Sequence, residues 1–213
     1  MLPIQLKLKR RTHKDIAYAQ DLVVETIYEF FPKAVMHGGT AIWRCYEGNR
    51  FSEDIDMYIK KNKEIINSLF KDLERKGFSV SKKRIKENSL YSTLKFNNTI
   101  VRFEALFKTI KNSFLKEYET SEGNLINILT LTPEDLMEEK INAYLKRKKV
   151  RDLYDIFFLL RYIENNKKIK EKLKIFIECF SEPIDEENLK TIIITGIVPT
   201  TKNMLDYIER WAR

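Results

Sequence analysis

The chain has 213 residues, 43% hydrophobic and 12% aromatic, which suits one large or two small globular domains and excludes a disordered tail. Its net charge of +8 fits either a polyanionic partner, nucleotide or RNA, or a lysine-rich solvated surface. No apolar run reaches the roughly 18–20 residues that span a bilayer, and the basic N-terminus lacks the apolar core of a signal peptide, so no membrane partner and a cytoplasmic location are expected.

In chain order, Ile16, Ala19, Val23, Ile27 and Phe30 recur at helical spacing and predict a helix over Thr12–Phe31, stopped by Pro32. Ala34–Met36 reads as a short buried strand. Thr40 then caps a helix over 41–46. Ser52–Ile59 is a strand candidate, and a helix over Lys63–Lys76 ends at Gly77. Phe78–Arg84 is another strand. Ser89–Phe96 and Thr99–Phe107 flank Asn97-Asn98, a pair that tolerates positive φ and suits a hairpin.

Beyond a short apolar stretch, Leu125–Leu129, the remainder reads as helices. Thr132 caps one with Pro133 at its first position, running to about Lys148. Others are expected over Arg151–Glu164, Lys170–Phe180 and Met204–Trp211. The expected fold is α+β: a mixed sheet flanked by helices over residues 1–110, then a helical domain over residues 111–213. Cys45 and Cys179 lie far apart and outside any Cys-x-x-Cys, so free thiols are expected.

Three local patterns carry chemistry. Gly38 and Gly39 precede a helix, so the backbone can approach a ligand and present N–H groups to phosphate, with Thr40 adding a hydroxyl. A plain tight turn has the same look. Asp54 and Asp56 are two apart on a strand, about 7 Å along one face. Side-by-side carboxylates call for a cation such as Mg²⁺ or Mn²⁺, although a solvated strand face explains them too. Glu104 sits in the apolar strand TIVRFEALF and is the natural third ligand if its strand lies beside that of the aspartates. A cross-strand ion pair, with Lys95, is the alternative.

Opposite charge comes from EKINAYLKRKKVRDLYDIFFLL, where Lys140, Arg147 and Arg151 could neutralise triphosphate and Asp152 could orient a cation. Asp155 falls on the same helical face as Asp152. A solvated helix end would show a similar run of cations. His13 and His37 are too few and too distant for a histidine metal site.

The order strand, Gly-Gly-Thr, helix, Asp-x-Asp strand and later acidic strand is that of nucleotidyltransferases. Arg50, Ser52, Asp54, Ile55 and Asp56 match an Arg-x-Ser-x-Asp-Ile-Asp pattern. Lys140, Ala143, Arg147, Arg151, Asp152 and Asp155 match Lys-x-x-Ala-x-x-x-Arg-x-x-x-Arg-Asp-x-x-Asp. In both motifs, over about residues 34–160, the chain resembles the AbiEii/AbiGii-type nucleotidyltransferase toxins, relatives of the MenT-type toxins. It is shorter than many of them, with no extended C-terminal substrate domain expected.

The resemblance implies a toxin of a toxin–antitoxin or phage-defence system that moves a nucleotide from a nucleoside triphosphate to an acceptor hydroxyl. Asp54 and Asp56 would bind Mg²⁺ (or Mn²⁺). Gly38, Gly39, Thr40, Arg50, Ser52 and Arg151 would contact the nucleotide, and Lys140 and Asp152 would be catalytic. Glu104 joins as a third metal ligand by strand order. The acceptor would be a tRNA 3′ end or a protein, and a cognate antitoxin would be the further partner. A non-catalytic nucleotide-binding module and a two-metal nuclease are the competing readings. The nuclease leaves Gly38-Gly39-Thr40 and the Lys140/Arg151 pair without a role.

Overall fold

A computed structural model describes residues 3–164 and 166–213. The chain divides into two units, each described by itself. The first takes the residues up to Glu47 together with Phe51–Thr130, and the second takes Gly48–Arg50 with Leu131–Arg213.

The first unit opens with a short helix α1 (Ile4–Lys7) and the long α2 (Arg11–Phe30). Helix α2 forms because an apolar stripe recurs every three to four residues, with Val23, Val24 and Ile27 fully buried. Each such side chain contributes about 1.5–3 kcal/mol when removed from water. There follow β1 (Val35–His37), α3 (Gly38–Cys45), β2 (Asp54–Ile59), α4 (Lys63–Arg75), β3 (Phe78–Ile85), β4 (Ser89–Phe96), β5 (Thr99–Phe107), β6 (Ser113–Glu119) and β7 (Leu125–Leu131). The seven strands make one mixed sheet in the order β3-β4-β5-β2-β1-β7-β6. Strand β2 runs antiparallel to β1 and parallel to β5, so both the turn after β1 and the middle of β5 come to the flanks of β2.

One face of these strands is apolar: Ile55, Met57, Val101, Phe103, Leu90 and Leu94 are buried. Helix α2 packs against β5 and α4. The alternate positions point the other way, which is the period-2 pattern of a half-buried sheet. Asn97 takes φ +52° in the expected hairpin between β4 and β5. A buried cluster ties β6 to α2. Asp21 accepts from the Tyr118 hydroxyl at 2.8 Å and the Ser121 N–H at 2.6 Å, and faces the Arg44 guanidinium at 3.2 Å. Its charge is buried because it is paired and hydrogen-bonded.

The second unit holds α5 (Pro133–Arg147), α6 (Val150–Leu159) running into a 3₁₀ turn (Leu160–Tyr162), α7 (Lys167–Glu178), α8 (Leu189–Ile192) and α9 (Thr201–Ala212). As expected, Thr132 caps α5, its side chain accepting from the Asp135 N–H. The segment 48–50 belongs here. The Asn49 carbonyl accepts from the Ile194 N–H at 2.7 Å, and Arg50 forms an isolated antiparallel bridge with Ile193.

Several expectations change. Helix α3 begins at Gly38 rather than Ala41, and Thr40 is no cap: its hydroxyl, wholly buried, donates to the Asp54 carbonyl at 2.5 Å. Strand β6 was not expected, because exposed Phe114 and Leu115 beside Lys116 break the apolar alternation of this sheet-edge strand. The units divide after Thr130, not at 110/111, since β6 and β7 complete the sheet. Cys45 and Cys179 are free thiols, and among the described residues no helix is long and apolar enough to cross a membrane.

Candidate active site

In the sheet unit the turn from β1 into α3 lies against β2. Gly38 has φ +72°, a left-handed conformation that side chains resist, and a Cβ there would run into the Asp56 carboxylate. Asp56 is thus seated on bare backbone. The His37 side chain does not cap α3 but stacks on Tyr58, ring centroids 4.0 Å apart. His13 likewise stacks on Phe51 at 4.0 Å, so both histidines pack against aromatic rings.

Asp54 and Asp56 point to the polar face of β2. On the parallel neighbour β5, Asp54 is in register with Arg102 and Asp56 with Glu104. Glu104 also faces Tyr91 of β4, whereas Lys95 lies opposite Ile100, so the Lys95 pairing is not formed. Adjacent strands lie about 4.8 Å apart, which brings Asp56 and Glu104 side by side. Burial, then the charges of Asp56 and Asp54, hold the Glu104 carboxyl above the usual carboxylate range. His37, Asp56, Tyr91 and Glu104 line a small cavity of about 160 Å³.

Arg102 offsets part of this negative charge: its Nε donates to Asp54 Oδ1 at 2.5 Å. Arg102 and Tyr91 were not singled out from the sequence. The signal was present, because Asn97-Asn98 sets the hairpin register and places Tyr91 opposite Glu104. As the side chains stand, no group of three or more His, Cys, Asp or Glu among the described residues is gathered tightly enough to hold a metal ion. The donor chemistry nevertheless suits a hard divalent cation, since three carboxylates share one face of two neighbouring strands and the two aspartates raise the proton affinity of Glu104.

The remaining candidates of this unit are buried. Gly39 and Thr40 lie inside the first turn of α3, and the Ser52 carbonyl accepts from Gln20 Nε2 at 2.9 Å.

In the helical unit, Arg50, Lys140, Arg147, Asp152 and Asp155 form one ionic network. Arg50 makes a two-pronged contact with Asp155, 2.7 Å at each prong. Lys140 Nζ lies 2.8 Å from Asp155 and 3.7 Å from Asp152. Arg147 clasps Asp152 at 2.6 and 2.7 Å. Burial pushes the Asp155 carboxyl up, yet Arg50 and Lys140 outweigh it and hold it below its usual range. Arg151, in the first turn of α6, is partly exposed and stands outside this network.

The sheet order and the turn seated on an aspartate define a nucleotidyltransferase fold. Solved structures share it. JHP933 from Helicobacter pylori aligns with TM-score 0.68 at 16% identity, over 95% of this chain and 91% of its own. A putative nucleotidyltransferase from H. pylori gives 0.67 at 18%, over 95% and 96%. MenT4, a nucleotidyltransferase toxin from Mycobacterium tuberculosis H37Rv, gives 0.64 at 16%, over 100% and 94%. No curated protein is similar enough in sequence to register as a relative. The family model described as nucleotidyl transferase AbiEii toxin, type IV toxin–antitoxin system, matches residues 22–197, and the chain belongs to that family. It is accordingly a nucleotidyltransferase.

Proposed function

We propose that the protein transfers a nucleotide from a nucleoside triphosphate to an acceptor hydroxyl with release of pyrophosphate, as the toxin partner of an antitoxin. The observation that carries this reading is the placement of Asp56 against Gly38 with Glu104 in register beside it. Asp54, Asp56 and Glu104 would hold Mg²⁺ (or Mn²⁺), which when bound neutralises phosphate charge and polarises the α-phosphate. Backbone N–H groups at the start of α3 would face the phosphates, and the absence of a side chain at Gly38 lets the Asp56 carboxylate sit against the same turn. Arg102 restrains Asp54 in the orientation its strand sets.

In the helical unit, Arg151 is the cation assigned to triphosphate. Lys140 and Asp152 are assigned as residues that transfer requires, and Arg50 and Asp155 fix them in place. Thr40 and Ser52 act by holding the backbone around β2. The preferred acceptor is an RNA end such as the 3′ terminus of tRNA, in keeping with the net charge of +8. A protein hydroxyl is the second.

The test incubates pure protein with Mg²⁺, each labelled nucleoside triphosphate in turn, and total RNA or lysate, beside Asp56→Ala. Label carried to RNA or protein by the wild type and lost in the variant supports the reading. Equal transfer by Asp56→Ala would refute the metal assignment. Nucleotide binding without transfer, or RNA shortening without any triphosphate, would point to the non-catalytic module or the nuclease.

A further inference from the structure

The helical unit carries a second concave feature that the transfer reading leaves without a role. Its cavity of about 510 Å³ has Tyr154, Phe157 and Tyr207 in its wall, joined by Arg161 and Arg210. Phe157 and Tyr207 meet edge to face with centroids 5.2 Å apart, and both stay partly exposed. Both arginines are exposed: Arg161 lies over the Phe158 ring at 4.6 Å, and Arg210 lies 6.0 Å from the Tyr207 ring centre and donates to the Asp206 carbonyl at 3.2 Å. Neither forms a salt bridge with a carboxylate among the described residues. Among the described residues no acidic side chain belongs to the lining. Asn49 reaches the cavity too; its side-chain oxygen accepts from the Thr195 hydroxyl at 3.2 Å, which leaves its NH₂ group as a donor.

We infer that this cavity holds an unpaired base of an RNA strand, stacked against Phe157 and Tyr207, with Arg161 and Arg210 on the adjoining phosphates. Single strands are gripped in this way, base faces on aromatic rings and phosphates on guanidiniums, and an amide donor reads a base edge. An apolar peptide would gain nothing from two cations without counter-charge. An acidic peptide would satisfy the cations but has no flat face for the rings. The inference deepens the transferase reading and rests on it for the choice of RNA, yet its test needs no transfer.

A fluorescein-labelled, unpaired oligoribonucleotide is titrated with the full chain by anisotropy at several salt concentrations. Wild type is compared with Phe157→Leu, Tyr207→Leu and Arg161→Gln, each checked by thermal melting. The ring variants are expected to bind about 5- to 150-fold more weakly, the ~1–3 kcal/mol of one base–aromatic stack. Arg161→Gln should lower the slope of log K against log salt by about 1. Duplex RNA and free nucleoside triphosphate should compete poorly.

The idea is overturned if wild type binds no RNA, if the folded ring variants bind as wild type does, or if free nucleotide or an acidic peptide competes as well as the oligomer. If the ring variants melt early, Arg161→Gln and Arg210→Gln decide through the salt slope. Asp56→Ala is expected to bind the oligomer normally. RNA bound through the cavity with no label transferred by wild type sinks the transferase reading and keeps this one. Transfer to RNA with undiminished binding by the ring variants does the reverse.

Discussion

Asp155 has no exposed side-chain surface, and it answers two buried cations, Arg50 at 5% and Lys140 at 7% exposure. Asp155→Ala leaves both charges in the interior without their carboxylate. Removing one partner of a buried pair costs about 3–5 kcal/mol, a large share of the ~5–15 kcal/mol that holds a domain. For a chain of this size that lowers the melting temperature by roughly 6–20 °C, at ~2–4 °C per kcal/mol. Scanning calorimetry at neutral pH measures it directly.

The pH dependence follows from the direction of the Asp155 shift. Its folded carboxyl is held below the unfolded value, about 3.9. Its stabilisation is therefore complete above that value and is lost as pH falls through the lower folded one. Wild type and Asp155→Ala should differ fully near neutrality and converge below about pH 4. A drop in melting temperature of less than about 2 °C at pH 7, or a difference that persists unchanged in acid, would refute this account of the network.

Gly38→Ala meets both a left-handed backbone and the Asp56 carboxylate, so label transfer should vanish and stability fall by about 1–3 kcal/mol in urea denaturation. Arg102→Gln removes a pair whose cation is 44% exposed, and the same denaturation assay should register less than about 1 kcal/mol. At Asn97, φ +52° predicts that Asn97→Gly is tolerated while Asn97→Val costs about 1–2 kcal/mol, read from melting curves. If Asp54, Asp56 and Glu104 hold a divalent cation, chelation should stop label transfer and added Mg²⁺ should restore it, with little change in melting of the metal-free chain.

Most of the element order was legible in the sequence, because periodicity and end signals are local. The α2 stripe, the Asn97-Asn98 hairpin and the Thr132-Pro133 start of α5 each depend on a few neighbouring residues. The family was legible as well, since Arg50 to Asp56 and Lys140 to Asp155 keep fixed spacings along the chain. Edge strand β6 was not, because an edge presents mixed polarity and its pairing partner is not a local property.

What the residues do to one another was decided by tertiary structure. Spacing put Asp54 and Asp56 on one face; parallel pairing of β2 with β5 placed Glu104 beside Asp56 and Arg102 beside Asp54. Sequence made Thr40 a cap and a phosphate donor. The closing of α3 on β2 buried its hydroxyl on the Asp54 carbonyl. Arg50 and Asp155, over a hundred positions apart, meet because 48–50 belongs to the helical unit, where a buried charge is stable only against its opposite. Spacing along a chain determines which face a side chain takes. Which charge it meets there is a matter of long-range packing, and no local pattern encodes it.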